Sequence, residues 1–276
     1  MSGTSIGSDL SSEPKVVEVP WHERRAELGR ILLEHLYRRG LFRTWLRDKP
    51  EGWELVSGVW SPFYIQARYV PSYPELLRFV GQALAEVIRN EVGPCDSVVG
   101  LATAGIPLAT AAALELGVSM CYTRKLNGVR TIEDLTSRAR DYGDHAMLEG
   151  TLASGNRVVL VDDVSAQFTS KQIAHWQITT EVRNRRLHSV SIPAVAVLVD
   201  REQGSAATAA SSQLGLDIVS VVRLKSEGLH YLRDILLPRE HEIVSSYVED
   251  PYAFQDLRLR KELIAEAQSF RKSLVR

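Results

Sequence analysis

Residues 157–171 read Arg-Val-Val-Leu-Val-Asp-Asp-Val-Ser-Ala-Gln-Phe-Thr-Ser-Lys and decide the fold. The apolar run at 158–161 is too short for a helix and rich in β-branched side chains, so it predicts a strand buried on both faces. Asp162 and Asp163 then stand at the strand end, the edge at which open α/β sheets bind ligands. Such a pair suits sugar hydroxyls or a hydrated magnesium ion, or it is simply a solvated strand end.

Other short apolar segments predict further strands separated by helical segments. The additional strands are expected at 97–100, 119–122, 192–199 and 217–222. Together with 157–164 they give five parallel strands joined by crossover helices, which is typical of an open α/β sheet. Helical periodicity covers residues 23–39, 73–90 and 171–187.

The chain is expected to divide into three parts. Residues 1–20 are rich in Ser and Gly and predict a disordered tail. Residues 21–232 hold the alternating elements, with a small hairpin-like hood at about 41–70. Residues 233–276 have a helical pattern interrupted by charges, which predicts an amphipathic extension packed on the domain or on a second subunit.

Composition argues against several classes of protein. The 276 residues carry 33 Lys+Arg and 34 Asp+Glu, a formal net charge of −1, so no long-range field favours nucleic acid or an anionic membrane. Cys95 and Cys121 fall on different predicted elements, which suits a reducing cytoplasm and gives neither a disulfide framework nor a metal site. No apolar run reaches about 18 residues and no signal-peptide pattern opens the chain, so we expect a cytoplasmic protein without a membrane partner.

The strand, acid pair and hydroxyl-rich turn at 157–171 resemble the phosphoribosyl-diphosphate (PRPP) motif of type I phosphoribosyltransferases. Two further segments resemble the orotate phosphoribosyltransferase family: Ser57-Gly58 followed by Ser61-Pro62, and Asp200-Arg201-Glu202-Gln203-Gly204 after a strand. The chain is therefore identified as a divergent member of that family. The resemblance implies a mainly parallel five-stranded sheet flanked by helices, with an N-terminal hood and, here, a helical C-terminal extension.

The resemblance also implies site residues. Asp162, Asp163 and Arg140 would be catalytic, with the acid pair on the ribose hydroxyls. Tyr64 would stack on the base, and Arg201 would orient its polar edge. The other implied substrate contacts are Thr103, Ala104 and Gly105 in the diphosphate loop, Arg124, Lys125 and Tyr142 around the long loop at 126–147, and Ser165, Ala166 and Thr169 in the phosphate turn.

The side chains named above are chemically suited to these roles, but each also has a purely structural explanation. A turn of small residues entering a helix lets backbone N–H groups approach an anion, although small residues also serve close packing. Adjacent cations form a phosphate clamp or a solvated pair. The Arg201 guanidinium either binds a carboxylate of the ligand or bridges the local acids Asp200 and Glu202. Tyr64 either stacks on the base or is a core aromatic residue of a short sheet.

Four positions depart from the family's pattern by changing charge or donor chemistry. Val56 and Ala104 stand where relatives commonly have lysine. Arg140 and Tyr142 replace a lysine and a histidine at the end of the long loop. Arginine keeps the positive charge, but it cannot donate a proton near neutral pH.

The turn after Val164 is the fifth departure, because it contains no glycine. Relatives wrap the 5′-phosphate with a glycine-containing turn, and residues with a Cβ restrict the conformations that such a turn uses. Phe168 is expected to occupy space near the anion. Lys171, at the start of the next helix, is expected to compensate as a point charge.

The resemblance implies transfer of ribose 5-phosphate from PRPP to orotate or a related pyrimidine-like base, with release of diphosphate, in pyrimidine nucleotide synthesis or salvage. Mg²⁺ would be carried by the diphosphate and not by protein ligands, and the expected assembly is a homodimer. The alternative is a non-catalytic PRPP- or nucleotide-binding regulatory protein, or a transferase with a changed acceptor. Simultaneous loss of positive charges and of the glycine turn favours that alternative.

Overall fold

The computed structural model describes residues 19–55, 57–126, 128–129, 134–135, 146–165, 168–202 and 211–274. The strands are β1 (Phe42–Thr44), β2 (Trp53–Glu54), β3 (Trp60–Ser61), β4 (Phe63–Ile65), β5 (Ser97–Gly100), β6 (Ser119–Thr123), β7 (Leu148–Glu149), β8 (Arg157–Ser165), β9 (Ser191–Asp200) and β10 (Asp217–Arg223). The α-helices are α1 (Trp21–Arg38), α2 (Pro74–Val87), α3 (Gly105–Leu116), α4 (Thr169–Asn184), α5 (Leu229–Leu232), α6 (Pro238–Glu249) and α7 (Leu257–Leu274).

The main sheet has six strands in the order β10-β9-β8-β5-β6-β7. The first five in this order pair in parallel, which confirms the predicted strands and the open α/β sheet. The sixth strand, β7, runs antiparallel to β6 and was not predicted, because two residues carry no periodicity. Residues 158–161 have no exposed surface, as expected for an apolar run covered on both faces of a sheet.

The hood consists of two separate two-stranded sheets and not of a single hairpin. Strand β1 pairs with β4, so that Phe42 lies opposite Ile65, and β2 pairs with β3. The rings of Phe42 and Phe63 stack in this small sheet with centroids 5.4 Å apart. The antiparallel pairing of β2 with β3 across Ser57-Gly58 confirms the predicted hairpin. The pairing of β1 with β4 was not predicted, because the partner of β4 comes from residues just after α1.

The C-terminal extension packs on the hood of its own chain. Val244, Tyr247 and Leu263 are buried in the same hydrophobic cluster as the rings of Phe42 and Phe63. This contact identifies the domain as a packing partner of the extension. The proposed boundary at residue 232 stays a prediction.

The predicted helices are present with small shifts of their ends. Helix α1 confirms the segment at 23–39, α2 ends at Val87 before a π-helical turn at Ile88–Val92, and α4 begins at Thr169. None of the helices in the described ranges combines the length and the apolar composition needed to cross a membrane.

Candidate active site

The candidate site lies at the carboxyl ends of β8 and β9. Ser165 and Asp200 are register partners across these strands, and the Arg201 backbone N–H donates to the Ser165 carbonyl at 2.8 Å. The predicted acid pair therefore lies near the end of β8, and the predicted acceptor-binding arginine directly follows the neighbouring strand β9. This is the sheet edge at which the sequence pattern places a ligand.

Asp162 is buried and ion-paired with Lys171. The lysine Nζ donates to Asp162 Oδ2 at 2.7 Å and to the Val164 carbonyl at 2.9 Å, and the residue is 2% exposed. The expectation that Lys171 supplies a point charge to a 5′-phosphate is wrong, because its ammonium group is enclosed and bonded to the strand end. One carboxylate of the acid pair is thus neutralised from inside the fold.

Asp163 has a different environment from its neighbour. It is half-buried, and its Oδ1 accepts the Val164 N–H at 2.8 Å. Burial, and secondly the charge of Asp162, raise the pKa of Asp163 to about 6, whereas Lys171, the Val164 N–H and Arg68 act in the opposite direction. Asp163 forms no ion pair within the described residues, so it is the acid that a ligand at this edge would meet.

Arg201 is a buried cation whose main donor edge has no partner. It is 6% exposed, and neither Nε nor Nη2 has an acceptor among the residues that the structure describes. These two nitrogens form one side of the guanidinium, the fork that binds a carboxylate through parallel hydrogen bonds. Burial lowers the pKa of Arg201, and Tyr247 partly offsets this effect.

The acids that flank Arg201 bond elsewhere. Asp200 Oδ1 accepts the Glu202 N–H at 3.0 Å, and the Glu202 carboxylate accepts the Ser226 hydroxyl at 3.0 Å. The interpretation of Arg201 as a bridge between its local acids is therefore wrong. A buried fork without an acceptor is costly, so its presence points to a ligand.

The hood presents Phe63 and not Tyr64 to Arg201. The Arg201 Cζ lies 4.7 Å from the centroid of the Phe63 ring. Tyr64 follows on the opposite face of β4, where its half-buried ring stacks on Trp53 with centroids 6.1 Å apart. The role of Tyr64 as a base-stacking residue stays a prediction.

The predicted diphosphate loop lies at the same sheet edge. A Cβ on Gly105 would lie 2.2 Å from the Val161 carbonyl oxygen, so only glycine allows α3 to start this close to β8. Thr103 is exposed and Ala104 is half-buried beside it. Contact of these three residues with diphosphate stays a prediction, while packing already requires Gly105.

The predicted phosphate clamp after β6 is exposed and partly compensated. Arg124 Nη1 lies 3.5 Å from Glu149 Oε1, and both side chains are nearly half exposed. Lys125 is exposed as well. Strand β7 supplies Glu149, which explains why sequence reasoning missed this partner.

Phe168, in the turn before α4, packs into the core and does not face the proposed phosphate site. Its side chain is 4% exposed and belongs to a hydrophobic cluster with Leu101 and Ala174. The expectation that Phe168 occupies space near the anion is wrong, because burial of the ring in the core is favourable. Ser165 is buried at the strand end and Thr169 is half-buried at the start of α4.

Several predicted positions lie outside the described residues: Val56, Arg140, Tyr142, Ala166 and Gly204. Two residues near the site were missed by the sequence analysis. Arg68 lies in the hood after β4 and Tyr247 comes from the extension, and neither belongs to a motif that would have singled it out.

The acid pair does not fit a metal ion held by the protein. Asp162 already bonds an ammonium group, and the described residues contain no group of three or more His, Cys, Asp or Glu side chains that could hold a metal. The expectation that Mg²⁺ comes with the diphosphate stays a prediction.

Comparisons with known proteins were made for the sequence and for the fold. No protein-family model matches the chain. The UMP synthase of Leishmania donovani superposes with a TM-score of 0.60 at 26% identity, over 81% of this chain and 42% of that one. The orotate phosphoribosyltransferase of Aeropyrum pernix gives 0.56 at 27% identity, over 74% of this chain and 97% of that one.

The sheet, the hood and the acid-pair edge define a type I phosphoribosyltransferase fold. In sequence, the orotate phosphoribosyltransferase of Caenorhabditis elegans is 30% identical over 244 residues, which cover 88% of this chain and 96% of the relative. That of Pyrobaculum islandicum is 30% identical over 70% of this chain and 89% of its own length. The chain belongs to the orotate phosphoribosyltransferase family.

Proposed function

We propose that this protein transfers ribose 5-phosphate from PRPP to a ring nitrogen of orotate or a related pyrimidine-like base. The bond between ribose C1 and the diphosphate oxygen breaks, a bond between C1 and the acceptor nitrogen forms, and diphosphate leaves. The observation that carries the proposal is the unpartnered fork of Arg201, one backbone hydrogen bond away from the strand that bears the acid pair. Family membership supports the same chemistry.

The acceptor would be recognised by Arg201. Orotate carries a carboxylate and adjacent carbonyl oxygens, which match Nε and Nη2 as parallel acceptors. The low exposure of Arg201 strengthens such charge-assisted bonds, because water competes poorly for a buried fork. Tyr64 would cover the base from the hood.

Asp163 would hold the ribose hydroxyls, next to the more buried Asp162, which is paired with Lys171. Asp163 accepts hydroxyl protons when it is ionised, and its negative charge favours the oxocarbenium-like state that forms as diphosphate departs. Lys171 fixes Asp162 and the Val164 carbonyl, which keeps the strand end in place for Asp163. The protein thus contributes position and charge, which are the main sources of catalysis in such a transfer.

The leaving diphosphate would meet the N-terminus of α3 and the cations beyond β6. Thr103, Ala104 and Gly105 are the proposed loop contacts, and Arg124, Lys125 and Arg140 are the proposed counter-charges, with Tyr142 nearby. Ser165, Ala166 and Thr169 would line the 5′-phosphate end. Closure of the loop at 126–147 would keep water away from the reactive cation.

Other features of the proposal follow the family. We propose that Mg²⁺ arrives bound to the diphosphate, that the chain forms a homodimer, and that it works in the cytoplasm.

The test is a titration followed by an assay on the same preparation. Calorimetric titration measures binding of PRPP with Mg²⁺, and diphosphate release is then measured with and without orotate. Asp163→Asn is expected to lower orotate-dependent release about 100-fold, the cost of removing one well-placed charged group. Asp217→Asn, an exposed aspartate at the opposite end of the sheet, is the matched control and should leave release unchanged.

The outcome also decides the alternative function. Neutralisation of Asp162 by Lys171 is the observation that favours a PRPP- or nucleotide-binding regulatory protein, because only one acid then faces the ribose. Binding of PRPP without orotate-dependent release would support that alternative or a changed acceptor. Absence of PRPP binding would contradict both functions.

A further inference from the structure

The C-terminal extension is joined to the hood by hydrogen bonds as well as by apolar packing. Trp45 Nε1 donates to the Leu263 carbonyl at 3.1 Å. The Gln255 side chain accepts the Trp60 N–H at 2.9 Å and donates to the Trp60 carbonyl at 3.1 Å. These bonds join α7 and the segment before it to the hood.

A ladder of aromatic rings crosses from the hood to the extension. The rings of Phe42 and Phe63 stack at 5.4 Å, Phe63 meets Tyr247 edge to face at 5.7 Å, and Tyr247 meets Phe254 at 5.4 Å. We call these four residues the aromatic ladder. All four are buried, with Tyr247 only 1% exposed, so the ring positions are fixed by packing.

Arg201 rests on the two central rings of the aromatic ladder. Its Cζ lies 4.7 Å from the Phe63 centroid and 6.0 Å from the Tyr247 centroid. These two ring planes are perpendicular, at 89°, so together they restrict the guanidinium in two directions. Cation–π contact with buried rings also stabilises a charge that has no acceptor on its Nε and Nη2 edge.

We propose that Tyr247 is a positioning residue for the acceptor, and that α6 of the extension thereby forms part of the acceptor site. This inference rests on the proposed function and extends it to a segment outside the family motifs. Tyr247 acts through Arg201: its ring holds the guanidinium so that the Nε and Nη2 edge faces a planar carboxylate ligand. The specificity for such an acceptor therefore depends on residues from both ends of the chain.

The test compares substitutions in two neighbouring rungs of the aromatic ladder. Tyr247→Leu removes the ring that contacts Arg201, and Tyr247→Phe keeps the ring but loses the hydroxyl. Phe254→Leu is the matched control, since it removes a buried ring of the extension that contacts Tyr247 but forms no cation–π contact with Arg201. Each variant is titrated with orotate and with PRPP, and its thermal unfolding is recorded.

Tyr247→Leu is expected to weaken orotate binding about tenfold, the value of a buried cation–π contact of roughly 1.4 kcal/mol. PRPP binding should stay within about twofold, because the ribose and phosphate contacts come from β5, β6 and β8. Tyr247→Phe should recover the part of the orotate affinity that depends on the ring, and the remaining loss should report the interaction of the Tyr247 hydroxyl with Arg201. Phe254→Leu should lower the unfolding temperature as much as Tyr247→Leu does, yet bind orotate like the unmodified protein.

Two results would overturn the inference, and they have different consequences for the proposed function. Equal weakening of orotate binding in Tyr247→Leu and Phe254→Leu would mean that Tyr247 acts only through the stability of the extension, while the proposed function would stand. Binding of PRPP but not of orotate by the unmodified protein would reject orotate as the acceptor, and the positioning role with it.

Discussion

Two buried cations stand at the same edge of the sheet, and they differ in what surrounds them. Lys171 is 2% exposed and bonds both Asp162 and the Val164 carbonyl. Arg201 is 6% exposed and rests on aromatic rings, with no acceptor for Nε and Nη2 among the described residues. A buried charge is costly unless it is paired. The fold therefore explains the paired lysine, whereas the free Nε and Nη2 edge of the arginine is the basis of the acceptor site proposed above.

The largest effect is expected from breaking the paired cation. Lys171→Met should lower the free energy of unfolding by about 3–5 kcal/mol, because it leaves the buried Asp162 carboxylate without its counter-ion. Urea denaturation measures the change. Adding Asp162→Asn to this variant should recover part of the loss, since a neutral amide tolerates burial better. A loss below about 1 kcal/mol in Lys171→Met would show that the pair is not structural.

The acid pair itself should make stability depend on pH. The pKa of Asp163 is raised from 3.8 to about 6. The folded state then keeps a proton that the unfolded chain releases, so the free energy of unfolding should fall by about 3 kcal/mol as pH rises from about 4 to about 6. Denaturation at several pH values measures the slope.

Two variants check the origin of this slope. Asp163→Asn should remove it, because the amide does not titrate. Lys171→Met should move its upper end to higher pH, since the lysine lowers the pKa of Asp163. An unchanged slope in Asp163→Asn would assign the titration to another group.

Removing Arg201 should affect binding more than folding. Arg201→Met is expected to weaken orotate binding by about 1.5–3 kcal/mol, roughly 10- to 150-fold, through loss of hydrogen bonds to a charged partner. The free energy of unfolding should fall by much less than in Lys171→Met, because Arg201→Met removes contacts with the Phe63 and Tyr247 rings and does not strand a buried carboxylate. Calorimetric titration and urea denaturation give the two values.

Arg233→Met, at an exposed arginine after α5, is the control and should change neither value. A stability loss in Arg201→Met as large as that in Lys171→Met would erase the difference between the two cations. It would mean that Arg201 has a structural partner.

The smallest effect is expected at an exposed pair of the same sheet edge. Glu149→Gln releases Arg124 from a contact of 3.5 Å between half-exposed side chains. The free energy of unfolding should change by less than about 1 kcal/mol, as for other exposed pairs. PRPP should bind slightly more tightly, and the gain should shrink at high salt. Calorimetric titration at low and high salt measures both, and weaker PRPP binding would contradict the proposed clamp.

Much of the fold was predictable because its signals are local. The apolar run at 158–161 and its counterparts predicted all five parallel strands, and helical periodicity predicted α1, α2 and α4 within a few residues. The helical pattern at 233–276 agrees with α6 and α7. The hairpin of β2 and β3 in the hood was predicted, but the pairing of β1 with β4 was not, because these two strands are separated in sequence and joined only in space. Strand β7 escaped prediction because it is too short to show a pattern.

For the site, the sequence determined which residues stand at the carboxyl edge: Asp162 and Asp163 near the end of β8, and Arg201 directly after β9. Strand direction and register are properties of the apolar pattern, so these positions follow from it. Only the tertiary structure decided which of these charged side chains are paired and what surrounds them. It brought Lys171 onto Asp162, buried the ring of Phe168 in the core, and set Tyr247 of the extension beside Arg201. Pairing of charges depends on distances of a few ångströms between separate elements, which no local pattern encodes.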